Sequence, residues 1–314
     1  MKRREMIQKS AAFGFLAAIP VSIPGRAFGA KQASESAFLV KPGPATEQAH
    51  PLKPPASGSI PVAFLISQGA AVIDFCGPWE VFQDVKLPAQ ANQGFQLYTV
   101  AESASPIRVS GGMKITPDYT LRSAPKPKVV VIPAQSGESD AMLEWIRKSA
   151  ETADVVMSVC TGAFLLAGSG LLAGKSATTH HDSYRGFERR FRNVKLKRGV
   201  RFVEEGQLAS AGGLTSGIDL ALRVVERYYG REAAQQTAYY MEYQGQGWMD
   251  ENSNSLYANV GTEADSGPYC LVCGMDIDPK TADKTVYQGQ TYYFCMPEHK
   301  KQFEASPEKY LEGK

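Results

Sequence analysis

The 314-residue sequence predicts an α/β fold, a doubly wound parallel sheet covered by helices, followed by a small C-terminal metal-binding module. Three observations carry this reading. Short β-branched runs, PVAFLI at 61–66, KVVVIPA at 128–134 and ADVVMSV at 153–159, are each followed by a longer segment with helical spacing. Apolar runs without in/out alternation fit strands buried on both faces. Residues 215–230, TSGIDLALRVVERYYG, set Ile218, Leu222, Val225 and Tyr229 at helical steps with Gly230 near the end, which predicts an amphipathic helix. At the far end, Cys270 and Cys273 form a C-x-x-C knuckle, and Cys295 and His299 a C-x-x-x-H pair. This spacing matches a closed tetrahedral metal site.

Taken from the start, residues 1–29 read as an export signal: Lys2, Arg3 and Arg4, an apolar stretch from Ala11 to Ile23, then Ala27-Phe28-Gly29 as a cleavage site. The Arg3-Arg4 pair suggests the twin-arginine type, which exports folded proteins; an ordinary secretory leader or an uncleaved anchor are the alternatives. The expectation is a periplasmic or otherwise extracytoplasmic protein of a bacterium, with no stable membrane span after cleavage, because the apolar stretch is short for a bilayer. Residues 30–59, with Pro42, Pro44, Pro51, Pro54 and Pro55, read as a Pro-rich linker that leaves His50 in solvent. Residues 60–243 form the α/β domain, 244–267 a second linker rich in Asn, Ser, Gly and acidic residues, and 268–314 the metal module.

Charge narrows the partners. The whole chain has a net charge of +2, and removing the leader, with five basic residues against one Glu, leaves about −2. No overall basic signal for nucleic acid remains. The basic stretch at 185–201 reads as a solvated face.

Cys160 stands where the third apolar run ends and a small-residue helix, 161–172, begins. The carboxyl ends of strands are where ligand crevices open in such sheets. A helix N-terminus there favours a thiolate and a lowered thiol pKa. Gly162 and Ala163 permit a tight turn of nucleophile-elbow type, though without a G-x-S-x-G motif. The alternative is a cysteine that only fills space.

Three motifs, AVIDFCGPWEVF at 71–82, SVCTGAFLLAGSGLLAGKSATTHH at 158–181 and LASAGGLTSGIDLALRVVERYYGREAAQQTAYYMEY at 208–243, resemble the ThiJ/PfpI superfamily over about 60–243. That family has a class I glutamine amidotransferase-like, flavodoxin-like fold. Within it the motifs look most like the isonitrile hydratase and AraC-type regulator branch. The resemblance implies that Cys160 is the nucleophile, that Asp74 is its acidic partner, and that Thr161 supplies a backbone N–H and a hydroxyl to an oxyanion or substrate nitrogen. A buried, partly protonated carboxyl can exchange a proton with a thiol during addition to a carbon electrophile; from the residues alone, Asp74 is equally a turn cap.

Two departures from the family pattern matter. Thr161 replaces the His that follows the cysteine in peptidase-like members, which argues against proteolysis. Ala134-Gln135 replaces a common Gly-Gly pair, so the Gln135 N–H can serve the oxyanion site while its side chain reshapes the pocket. His180 aligns with a histidine near the thiol in several relatives, in a binding or proton-relay role; His181 is the alternative. Cys76 is either a buried small side chain or a disulfide partner of Cys160. Relatives are often dimers, so a homodimer is open.

The C-terminal segment resembles the YHS domain, a small treble-clef-like metal module, over about 268–312. Most members have Cys where His299 stands. The resemblance and the donor set imply a metal ion held by Cys270, Cys273, Cys295 and His299, zinc first and copper as the alternative; a Cys270–Cys273 disulfide is the competing state. No cofactor is expected in the α/β domain. The resulting expectation is an exported cysteine-dependent lyase, isonitrile hydratase-like, acting on a small-molecule substrate. The alternative is a non-catalytic protein that binds a heavy-metal ion or senses redox state.

Overall fold

The computed structural model describes residues 50–87, 94–260, 268–273 and 276–311. The expected export signal at 1–29, most of the expected first linker and part of the second lie outside the described residues. The strands are β1 (Ile60–Leu65), β2 (Phe95–Ala101), β3 (Ile107–Arg108), β4 (Lys114–Ile115), β5 (Tyr119–Thr120), β6 (Val129–Ile132), β7 (Val155–Val159), β8 (Ser176–Ala177), β9 (Lys195–Leu196), β10 (Phe202–Glu205), β11 (Leu208–Ala211), β12 (Asp283–Tyr287) and β13 (Gln290–Phe294). The helices are α1 (Val72–Gln83), α2 (Asp140–Ala150), α3 (Gly162–Gly168), α4 (Tyr184–Arg190), α5 (Ser216–Tyr229), α6 (Arg231–Tyr240), α7 (Pro297–Ala305) and α8 (Pro307–Leu311).

Among the described residues, seven strands join in the order β10-β11-β7-β6-β1-β2-β5. All neighbours are parallel except β10 and β11, which form an antiparallel hairpin at one edge. The sheet is therefore mixed, and mainly parallel. The apolar runs are continuous because each face is buried: Val129 and Val131 enter the core that includes α1, α5 and α6, while Val130 and Ile132 enter the one with α2 and α3. Alternate residues of one strand thus fill two cores, and neither set can be polar.

Local signals set the helix ends. Ser139 caps α2 by accepting from the Met142 N–H at 3.2 Å, and Asp140 in its first turn suits the positive end of the helix. The helix expected at 215–230 is α5, with Gly230 at its end adopting φ +86°.

Two stretches differ from the expectation of free linkers. From His50 onward the chain is pinned to α5: the Arg227 Nε donates to the His50 carbonyl at 3.1 Å, and the Leu52 N–H donates to the Arg227 carbonyl at 2.7 Å. Residues 244–260 form a strap on the α/β domain. Arg201 ties it down by pairing with the buried Asp219 at 2.5 Å and donating to Asn254 Oδ1 at 3.3 Å, and Trp248 is only 3% exposed. The basic stretch at 185–201 is a solvated face at Arg189, Arg192, Lys195 and Lys197, which are exposed, but not at its four other arginines. Arg185, Arg190, Arg198 and Arg201 are each less than a fifth exposed and each paired with a carboxylate, so their charge is spent inside the fold.

No helix among the described residues is long and apolar enough to cross a membrane. The C-terminal module packs the β12–β13 hairpin and α7 around Phe294 and Phe303.

Candidate active site and metal centre

Cys160 sits one residue beyond β7 with φ +57°, a left-handed conformation that costs energy in a residue with a Cβ. Its N–H donates to the Gly212 carbonyl at 2.8 Å, and its carbonyl accepts from Thr179 Oγ1 at 2.9 Å. The chain then turns sharply into α3, and Gly162 makes that possible. A Cβ on Gly162 would lie 2.1 Å from the Ile132 carbonyl oxygen, at the end of the neighbouring strand β6. The strand, strained residue and helix make the nucleophile elbow that the sequence suggested.

Asp74 meets Cys160 from α1. The Ala71 N–H donates to the Ala134 carbonyl at 2.8 Å, and the Ala134 N–H donates to Asp74 Oδ2 at 3.0 Å. This reciprocal tie holds the first turn of α1 against the end of β6. The carboxyl is fully buried, its Oδ1 has no N–H or O–H partner, and it contacts the Cys160 thiol. Burial raises its pKa to about 7, opposed by the Ala134 N–H and by the thiol.

The thiol corrects one expectation. Cys160 is 8% exposed, and burial, then the Asp74 charge, push its pKa well above the ordinary thiol value. The Thr161 and Leu214 N–H groups and the Thr161 hydroxyl pull the other way without winning. Desolvation outweighs the helix terminus, so the resting group is a thiol.

Thr161, expected to offer its N–H and hydroxyl to an oxyanion or substrate nitrogen, instead directs both toward the Cys160 thiol. Leu214 was not foreseen. Its N–H reaches the thiol from the turn between β11 and α5, where Leu214 itself has φ +31°; the only sequence signal is the Gly212-Gly213 pair beside it. The Gln135 side chain donates its amide to the Leu65 carbonyl at 3.0 Å and so turns back onto the end of β1.

His180 lies beside Gly213, where an added Cβ would come within 2.6 Å of its Cδ2. Its Nδ1 accepts from the Asp182 N–H at 3.3 Å, its ring stacks on His181 at 4.3 Å, and burial together with His181 lowers its pKa. Tyr257 of the strap stacks on the other face of His181 at 4.3 Å. His180 thus borders the loop that carries Leu214. All five cysteines are free thiols, so Cys76 and Cys160 are not joined.

In the C-terminal module, the ligand atoms of Cys270, Cys273, Cys295 and His299 lie within 4.8 Å of one another. Cys273 Sγ is 3.5 Å from Cys295 Sγ, and His299 Nδ1 is 3.5 Å from Cys270 Sγ and 3.1 Å from Cys295 Sγ. A tetrahedron with metal–sulfur bonds of about 2.3 Å has edges of about 3.8 Å, so the four donors are already close to the shape a metal requires. They are buried or half-buried. Hydrogen bonds from Cys273 and Cys295 hold Cys270 far below the ordinary thiol range, while the same cluster pushes Cys273 up and Cys295 up to about 12. A cation among them removes that conflict, because all the thiols can then ionise. The donor set fits a metal-binding module.

Comparison with known proteins agrees with this geometry. The model of the DJ-1/PfpI family matches residues 61–227, and that of the YHS domain matches residues 271–314. An isonitrile hydratase from Pseudomonas putida is 32% identical over 190 residues, which cover 59% of this chain and 79% of that protein. The transcriptional regulator CdhR of Pseudomonas aeruginosa is 24% identical over 46% of this chain and 44% of its own length. A crystal structure of a ThiJ/PfpI family protein from Pseudomonas syringae superposes with a TM-score of 0.52 at 25% identity, over 62% of this chain and 79% of that one. Drosophila melanogaster DJ-1beta, at 21% identity and a TM-score of 0.51, shares the fold over 60% of this chain and all of its own.

Proposed function

Because the chain belongs to the DJ-1/PfpI family, we propose that it is a cysteine-dependent hydratase that adds water to a small carbon electrophile of the isonitrile class. The observation that carries this reading is the buried Asp74 carboxyl, with a pKa of about 7, against the Cys160 thiol. In the state with one proton on the pair, that proton moves from sulfur to carboxylate, leaving a thiolate beside a carboxylic acid. The acid protonates the isonitrile carbon as the thiolate attacks it, giving a thioimidate and an Asp74 carboxylate. Water then adds to that carbon, and Asp74 takes a proton from the water and passes it to nitrogen. Collapse of the adduct returns the hydroxyl proton to Asp74, breaks the C–S bond and releases an N-substituted formamide. Atoms balance, and the pair regains its starting state. The Thr161 and Leu214 N–H groups steady the sulfur whenever it carries charge.

The module's metal is zinc in this reading, since three thiolates and one imidazole form a closed four-ligand set. Bound there, it supplies structure rather than turnover. Residues 1–29 supply export to the periplasm, supported by the Arg3-Arg4 pair and the apolar stretch that follows.

The test is incubation of the purified protein with a small alkyl isonitrile, following formamide production chromatographically. Production that disappears in Cys160→Ala supports the hydratase. If the wild-type protein forms no formamide while its metal site is intact, the non-catalytic, metal-binding reading takes its place.

A further inference from the structure

The cysteine module does not hang free of the α/β domain, and its seat lies beside two of the loops named above. Arg190 is the central contact. Its Nη2 donates to Glu138 Oε1 at 2.7 Å, while its Nη1 donates to the Val272 carbonyl at 3.1 Å. Val272 lies between the ligands Cys270 and Cys273. Lys309 of the module reaches the same Glu138 at 3.5 Å and also donates to its backbone carbonyl at 3.2 Å. Glu138 is 7% exposed, so this is a buried carboxylate with one cation from each side of the seam.

Two further contacts touch these loops directly. Ser136 Oγ, one residue beyond Gln135, donates to the Met296 sulfur at 3.4 Å. Met296 adjoins the ligand Cys295. Asp276 pairs with Arg185, and its N–H donates to the Asp182 carbonyl at 3.4 Å, two residues beyond His180.

We propose that the Cys3His module is a metal-set clamp on the loops that flank the Cys160–Asp74 site. Metal occupancy fixes the Val272 carbonyl, the Met296 side chain and Asp276; through Arg190 and Ser136 the first two hold the loop at 134–139, and through Asp182 and Arg185 the third holds the loop at 180–185. The physical reason is the size of the module. It has fewer than fifty residues, too few to build a self-sufficient core, so coordination supplies much of its stability. Val272 and Met296 each neighbour a ligand, and they can seat together only while the coordinated knuckle keeps its shape. Arg190 is thus a positioning residue that passes metal occupancy to these loops.

Hydrogen exchange on the full chain tests this without any turnover, so the clamp stands or falls separately from the hydratase. Three samples are compared: zinc-loaded protein, protein stripped by a chelator, and zinc-loaded Arg190→Ala with its zinc content measured. In the stripped protein and in Arg190→Ala, exchange at 134–139 and 180–185 is expected to rise about tenfold, while α6 keeps its protection. A bulky thiol reagent should also label Cys160 faster in both. Arg190→Ala must retain zinc, which separates loss of the seat from loss of the metal. Unchanged protection in the two loops after both treatments overturns the proposal. So does a loss in Arg190→Ala that spreads equally to α6, since that would be general destabilisation.

Discussion

The Asp74 carboxyl at the first turn of α1 lies against the Cys160 thiol at the elbow after β7. Burial raises both groups, which makes the doubly ionised pair costly. The pair therefore keeps one proton, which rests on sulfur, and passing it to the carboxylate leaves the charge of the pair unchanged. Neither group alone would serve: the thiol is too weak an acid, and an ordinary carboxylate is too weak a base.

Hydration should consequently rise with pH through about 7, as Asp74 loses its proton and becomes able to take the one on sulfur. Asp74→Asn cannot accept that proton. It should lower kcat/KM by about 10³-fold or more and remove the inflection near pH 7, measured as formamide formation from pH 5 to 9.

The same carboxyl should make the wild-type protein less stable as pH rises. Its folded pKa, about 7, lies above the unfolded value, which is about 3.9, so the folded state holds the proton more tightly between these limits. The stabilising contribution is full below about pH 4 and is lost as pH rises through about 7. Asp74→Asn should be more stable than wild type at pH 9 by about 1–3 kcal/mol and nearly equal to it at pH 4. Urea melts at the two pH values measure this, and equal differences at both would contradict the assignment.

Gly162→Ala should destabilise the domain by about 3 kcal/mol or more. The added Cβ meets the backbone oxygens of Ile132 and Pro133, at 2.1 and 2.8 Å, rather than a side chain that can swing away. Thermal melting reads the loss. Gly170→Ala, where nothing lies within 4 Å but φ is +83°, is the comparison and should cost less.

Arg201→Ala should cost about 3–5 kcal/mol, because it leaves Asp219 buried without its guanidinium. Burial already raises the Asp219 pKa, and the Arg201 charge is what opposes it most. The strap at 244–260 should then be cut by protease under native conditions, since Arg201 joins Asp219 to Asn254. Asp219→Asn, which leaves no buried charge, should cost less than Arg201→Ala.

Much of this protein is written in local pattern. The runs that became β1, β6 and β7 are apolar throughout because both faces of each strand are buried, and residue order alone carries that property. The helix α5, the grouping of Cys270, Cys273, Cys295 and His299, and the placement of Cys160 at a strand end followed from periodicity and spacing. Asp74 as the partner of Cys160 came from the resemblance of whole motifs, since nothing local separates it from a turn cap.

Other features belong only to the folded chain. The Leu214 N–H reaches a thiol more than fifty residues earlier in the sequence, and the Gln135 side-chain amide turns back to the Leu65 carbonyl. A stretch composed like a linker is a docked strap, because Arg201 and Asp219 meet only when β10 and α5 are packed. The thiol that a helix terminus alone would acidify is instead kept protonated. Sequence determined which groups this protein has and roughly where along the chain each turns. Tertiary structure decided how deeply each is buried and what charge stands beside it, and desolvation and Coulomb energy depend on those distances through space rather than along the chain.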